Sequence, residues 1–131
     1  MEARAINRHI GTSPRKMRLV IDLIRGKSVT EALNVLLYLP KHASKTAEKV
    51  LRSAISNFQN MDQEAKIDAE LLYVKECFVN GGPSTKRMLP APMGRAYQIL
   101  KRSNHLTIVI SEKPKKISSV TKKTKKTKVG V

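Results

Sequence analysis

The groups in this sequence best equipped for chemistry are its cations, and the chemistry they suit is the binding of phosphate. Lys86, Arg87, Arg95, Lys101 and Arg102 fall within residues 81–111, which contain no Asp or Glu. Like charges held this close repel one another unless counterions or phosphates screen them. A guanidinium in particular grips phosphate through two parallel N–H···O bonds. A second set, Arg4, Arg8, Arg15, Lys16 and Arg18, belongs to the first 27 residues, where seven Lys/Arg face two acids. On a surface helix of a neutral protein these would be a solvated charged face. Arg15, Lys16 and Arg18, however, follow a helix start, where the helix dipole favours acids. A local rule broken in this way marks function. His105 joins the candidate set, read as a strand-end or phosphate-contacting residue rather than a metal ligand.

Other chemistries find no constellation. His9, His42 and His105 are scattered, and no Cys/His cluster has metal-ligand spacing. Asp68 and Glu70 share a strand face by the two-residue period, as many solvated carboxylates do. There is no Gly-rich phosphate loop of the P-loop or dinucleotide kind. Cys77, the single cysteine, reads as a small buried apolar residue; it leaves no internal disulfide and fits a reducing compartment. The expectation is therefore no catalytic residue, no metal and no cofactor. A small nuclease would need a carboxylate or histidine cluster that is not seen.

The net charge of +16 is unevenly distributed. Residues 1–27 carry +5, residues 28–80 carry −1, residues 81–111 carry +5 and residues 112–131 carry +7. An ordinary soluble middle flanked by cationic segments is the electrostatic footprint of a nucleic-acid binder. A membrane surface would call for a basic amphipathic helix with large apolar residues, and no basic segment has that form. The N-terminus has no apolar h-region and no run is long enough to span a bilayer, so a cytoplasmic location without membrane contact is expected. The five aromatics, Tyr38, Phe58, Tyr73, Phe78 and Tyr97, are too few for a base-stacking platform, and the first four fit core positions. Recognition should then rest on phosphate, sugar and shape.

The elements that must position these groups follow from periodicity. Ala3 to Ile10 alternates as a strand, with Ala3, Ala5 and Asn7 on one side and Arg4, Ile6 and Arg8 on the other. Ser13-Pro14 starts a helix with Ser as N-cap and Pro in the first turn. Met17, Val20, Ile21 and Ile24 form its buried stripe, Leu19 and Leu23 widen it, and Gly26 ends it. Ser28 and Glu31 have capping-box spacing and open a helix that buries Val29, Ala32, Leu33, Leu36 and Leu37 and stops before Pro40. A third helix, about Lys41 to Asn60, has a stripe rich in small residues; Asn60 to Ala65 reads as a loop. A strand follows around Leu71 to Val79, with Leu72, Val74 and Phe78 on one face and Tyr73, Cys77 and Val79 on the other. Leu106, Ile108 and Ile110 mark a last strand. Residues 113–131, Lys-rich and poor in core-formers, are expected to be a disordered tail.

Between the last two strands lies Gly81 to Ala96, with three Pro, three Gly, three cations and no acid. A loop of that length inside a compact domain is uncommon and usually functional. It reads as a hairpin arm, about residues 80–104, reaching on the order of 30 Å beyond the body at ~3.3 Å per residue. The whole of 1–112 is expected to be one nucleic-acid-binding domain. A sequence-tolerant RNA chaperone or nucleoid protein is the rival, but a compact basic patch would serve it without an arm.

Ser13-Pro14-Arg15-Lys16-Met17-Arg18-Leu19-Val20, Asp22 to Lys27 and Glu31-Ala32-Leu33 resemble the first half of the bacterial large-subunit ribosomal protein L twenty-two family. Gly82-Pro83, Lys86-Arg87, Pro90, Gly94-Arg95-Ala96 and Ile99 to Leu106 resemble its second half. The resemblance runs from about residue 3 to 112, and the Lys-Arg, Gly-Arg-Ala and Lys-Arg-x-x-His pieces in order are its most specific part. It implies an α+β fold: a small antiparallel sheet packed against three helices, with a long protruding β-hairpin. It implies a structural, non-catalytic constituent of the large ribosomal subunit that binds large-subunit rRNA during assembly. It further implies a hairpin threaded through that rRNA, with its tip lining the polypeptide exit tunnel beside neighbouring ribosomal proteins and the passing nascent chain. Carried onto this chain, the tip is Leu89, Pro90, Ala91, Pro92, Met93 and Gly94. Family members usually carry basic residues where this chain has Ala91 and Met93, so the tip here is uncharged. For the tail 113–131 the resemblance supplies no counterpart.

Overall fold

The structure, a computed structural model, describes residues 1–61 and 71–112. The Asp68/Glu70 pair, most of the loop expected at Asn60 to Ala65, and the tail 113–131 lie outside the described residues. The elements run β1 (Glu2–Ile10), α1 (Pro14–Ile21), α2 (Val29–Tyr38), α3 (His42–Met61), β2 (Leu72–Pro90) and β3 (Ala96–Glu112). The three strands form one antiparallel sheet in the order β1-β3-β2. The helices pack on one face of it, α3 against β1 and β3, and α1 and α2 against β2. This is the expected α+β class.

The core lies between the two layers. Met17, Val20, Ile21, Ile24, Leu36, Leu51 and Phe58 from the helical layer meet Leu72, Val74, Leu106, Ile108 and Ile110 from the sheet. Small residues of α3, Ala43, Ser44, Ala47 and Ala54, are buried, so the helix axis can lie close to the strands. Ser28 caps α2 by accepting from the Glu31 N–H at 3.4 Å. Ser13 has the extended backbone of an N-cap but makes no side-chain cap bond.

Several expectations shift in detail. α1 ends at Ile21 rather than running to Gly26. Tighter turns follow, with Leu23 N–H on Val20 O and Ile24 N–H on Ile21 O. They carry Ile24 into the core and leave Leu23 outside; Leu19, within α1, is exposed as well. Leu37 and Tyr38 are also exposed, Tyr38 to 81%, because they lie off the Val29, Ala32, Leu36 stripe that faces the core. α3 continues through Asn60 to Met61. On β2 a bulge between Val74 and Glu76 inserts one residue and reverses the faces beyond it. Leu72, Val74, Cys77 and Val79 therefore share the buried face, while Phe78 turns outward. On β1 a bulge between Asn7 and Ile10 turns Ile10 inward in the same way.

β2 is an edge strand whose outer edge is closed over the body. Gly26 N–H bonds Val74 O at 3.1 Å, and Val74 N–H bonds Lys27 O at 2.9 Å. Gly26 takes φ +73 to make that approach. Arg25 donates to Cys77 O at 3.0 Å and Arg18 to Val79 O at 3.2 Å. The Glu2 carboxylate and Lys75 ammonium pair across β3. Beyond Asn80, β2 and β3 continue as a two-stranded hairpin, paired from Ser84 with Arg102 to Pro90 with Ala96.

Candidate nucleic-acid interface

The hairpin distributes its cations by register. Directly opposed residues in an antiparallel pair point to the same face, and successive residues to opposite faces. Thr85 faces Lys101 and Arg87 faces Ile99, which puts Arg87 and Lys101 on one face. Ser84 faces Arg102 and Lys86 faces Leu100, which puts Lys86 and Arg102 on the other. Each face therefore carries two cations. The same faces carry apolar groups, Leu89, Tyr97 and Ile99 with the first pair and Met88 and Leu100 with the second, so neither is a single apolar stripe. Every residue from Pro83 to Pro90 is exposed.

At the far end Pro92–Gly94 form a 3-10 turn between the strands. Ala91 N–H bonds Arg95 O at 2.9 Å. Met93 has φ 61 and Gly94 φ 70; left-handed backbone costs a non-glycine residue about 1–2 kcal/mol. Met93 projects into solvent, 94% exposed. Arg95, just past the turn, is the only charge at an end otherwise made of Leu89, Pro90, Ala91, Pro92, Met93 and Gly94.

At the near end a bulge between Gly81 and Ser84 sets the hairpin on the body. Ser103 Oγ donates to Pro83 O at 2.6 Å. Asn104, fully buried, donates to Thr12 O at 2.6 Å and lies 2.9 Å from Thr12 Oγ1. That contact ties the hairpin base to the turn preceding α1, and so to Arg15 and Lys16 in the first turn of that helix. Lys16 also borders a groove of about 450 Å3 shared with Leu19, Lys41, His42 and Ala43.

The body's cations do not gather in one patch. Arg4 and Arg8 project from the helix-free face of the sheet. They border a cleft of about 360 Å3 with His9, Asn80, His105 and Thr107. Arg15 and Lys16 stand at the start of α1. Arg18 lies along the β2 edge, where one of its N–H groups is taken by the Val79 carbonyl. None of Arg4, Arg8, Arg15, Lys16, Arg18 or the hairpin cations is ion-paired among the described residues. His105 accepts a 3.0 Å bond from the His9 N–H through Nδ1, and the two rings meet edge to face with centroids 4.9 Å apart. His9, Asn80, Asn104 and Arg25 were not foreseen as parts of this surface. The bonds of Arg25, Asn104 and His9 span 52 to 96 residues in sequence, and Asn80 meets His105 only through the strand register. No group of three His, Cys, Asp or Glu able to hold a metal occurs among the described residues. No described helix is long and apolar enough to cross a membrane.

A small α+β body that closes its own edge and projects an exposed arm, cationic on both faces, has the build of a structural nucleic-acid-binding protein. Comparison with known proteins specifies the class. The family model of ribosomal protein L22p/L17e matches residues 5–111, and the chain belongs to that family. It is 53% identical over 110 residues to the large ribosomal subunit protein uL22 of Chlorobium phaeovibrioides, covering 84% of this chain and 92% of that protein. It is 50% identical over 118 residues to uL22 of Chlorobaculum tepidum, covering 90% and 99% respectively. With uL22 of Clostridium novyi the identity is 47% over 113 residues, covering 86% and 99%.

Proposed function

We propose that this chain is a structural, non-enzymatic constituent of the large subunit of the cytoplasmic ribosome, where it binds ribosomal RNA. The observation that carries this reading is the family match, which spans β1 through β3 and so includes both the body and the hairpin. The geometry supports it, because Arg4, Arg8, Arg15, Lys16, Arg18 and the hairpin cations form no ion pair with a described carboxylate.

In finer detail, residues 1–112 act as one RNA-binding unit. Arg4, Arg8, Arg15, Lys16, Arg18 and His105 dock the body on RNA phosphates. Lys86, Arg87, Arg95, Lys101 and Arg102 bind phosphate on both sides of a hairpin that threads between RNA segments distant in sequence. A cation on each face suits an arm enclosed by RNA better than one laid on a flat surface. The tip, uncharged from Leu89 to Gly94, forms part of the polypeptide exit tunnel near neighbouring ribosomal proteins and the passing nascent chain.

Crosslinking in cells followed by sequencing of the bound RNA tests the reading. Crosslinks concentrated on large-subunit rRNA, with the hairpin joined to several distant segments, are expected. Crosslinks spread over messenger RNA or DNA would instead assign the family fold to a sequence-tolerant chaperone or nucleoid role. For the tip, deleting Leu89 to Met93 should leave RNA affinity nearly intact, since those residues carry no charge, while changing a tunnel-linked behaviour such as macrolide sensitivity, with which changes in this hairpin are associated across the L twenty-two family. A large loss of RNA affinity would make the tip an RNA contact instead.

A further inference from the structure

Helices cover only one face of the sheet, and the open face holds a cleft whose lining matches one ligand. The geometry points to this cleft as the seat of a single unpaired nucleotide of the RNA, bound by phosphate and sugar at Arg4 and Arg8 and by its base against His9, His105 and Asn80. The inference rests on the ribosomal reading above and gives one part of the surface a defined occupant.

The volume, about 360 Å3, lies near the lower end of the roughly 300–1,000 Å3 typical of small-ligand clefts. That suits one nucleotide rather than a duplex. The lining contains two guanidiniums, two imidazoles and an amide, and no carboxylate. Arg4 and Arg8 lie on the same side of β1 by the two-residue period and bracket the cleft along the strand. A planar guanidinium takes phosphate in bidentate fashion.

The histidine pair supplies an ordered wall. His105 Nδ1 accepts the His9 N–H, so the ring is the tautomer with its proton on Nε2, which remains as a donor. His9 is held at φ 57, a left-handed conformation costly for a non-glycine residue and common at binding sites. The bulge that imposes it also brings His9 beside His105. The Asn80 amide, opposite His105 in register, offers both donor and acceptor to a base edge. Ile6 and Phe78, 42% and 38% exposed, are opposite Thr107 on either side and give the face apolar surface on which a sugar or base can rest.

The test is nucleotide-resolution chemical probing of large-subunit rRNA, transcribed in vitro and saturated with the full chain. Wild-type protein, Arg8→Ala, Asn80→Ala and the hairpin variant Lys101→Ala are compared. Wild type should protect one unpaired nucleotide that becomes reactive again with Arg8→Ala and with Asn80→Ala, with RNA affinity several-fold weaker in each. That nucleotide should stay protected with Lys101→Ala at saturation. Neither cleft substitution removes the His9–His105 contact, so the sheet is left intact. Cleft variants that bind with wild-type affinity and protection would overturn the inference and leave the cleft to another occupant, such as an acidic protein segment. Protections lost only along a duplex backbone would overturn it too. Failure of the wild-type chain to bind this RNA would instead overturn the ribosomal reading on which the inference stands.

Discussion

At Gly82 the two legs of the hairpin come so close that no side chain fits. A Cβ there would lie 2.5 Å from Ser103 Oγ and 3.1–3.2 Å from the Ser103 backbone. The hydroxyl is not free to swing away without breaking its bond to Pro83 O. Gly82→Ala should therefore cost about 1–3 kcal/mol through overpacking, read as a lower urea midpoint. Adding Ser103→Ala should recover only part of the loss, because the backbone contacts stay; full recovery would show that the hydroxyl alone was in the way. Cys77 is a second residue with a measurable signature. Burial pushes its thiol pKa up, against a smaller opposing effect of Arg25, and the thiolate is the reactive form. Alkylation at neutral pH should be slow in the native chain and rapid in denaturant; equal rates would place Cys77 in solvent. The buried character of Cys77 was legible in its type. The face it occupies was not, because the bulge at Lys75 has no marker in the sequence. Arg18 illustrates the opposite limit. Its charge was legible, but the expectation that it opposes the helix dipole fails: α1 is short enough to put Arg18 in the last turn, where the dipole favours a cation. Its contact with the Val79 carbonyl depends on how α1 lies beside β2, which periodicity does not specify.

Among the elements, the sheet body and the hairpin differ in what holds them. β1, β3 and the first part of β2 bury Leu72, Val74, Leu106, Ile108 and Ile110 under the helices. Beyond Ser84 the hairpin has only its cross-strand bonds and a few half-covered apolar pairs such as Leu89 with Tyr97. Local opening is easiest where buried contacts are few. In RNA-free protein, amides from Thr85 to Arg95 should exchange much faster than those of Leu106 to Ile110; uniform protection would show that the arm is rigid by itself. The order and type of the elements were legible throughout, since caps and apolar periods at Pro14, Ser28 and Pro40 are strong local signals. Their ends were less so. Leu19, Leu23, Leu37 and Tyr38 adjoin the buried stripe but point away from it, and composition alone does not separate them from true core positions.

For the molecule as a whole, charge decides how it meets its partner. Each phosphate neutralised releases counterions, so occupancy of the five hairpin cations alone should give a log–log salt slope of roughly −3.5 to −4.5, with the body adding to it. A flat response would remove the phosphate account of binding. The positions of the candidate contacts on opposite sides of the body were not legible, because they follow from the sheet order β1-β3-β2 and not from spacing along the chain. That sheet order has a consequence for the protein before it meets RNA. Over the body, the Cys77 and Val79 carbonyls and both polar groups of Val74 are already occupied, while the legs of the hairpin beyond Ser84 present unpaired strand edges to any second copy. Exposed edges of this kind are natural templates for aggregation, and charged side chains are a common guard against it. Lys86, Arg87, Lys101 and Arg102, two to a face, put such a guard on both sides of the arm, so on the reading proposed above the charge that would bind RNA also protects the free chain.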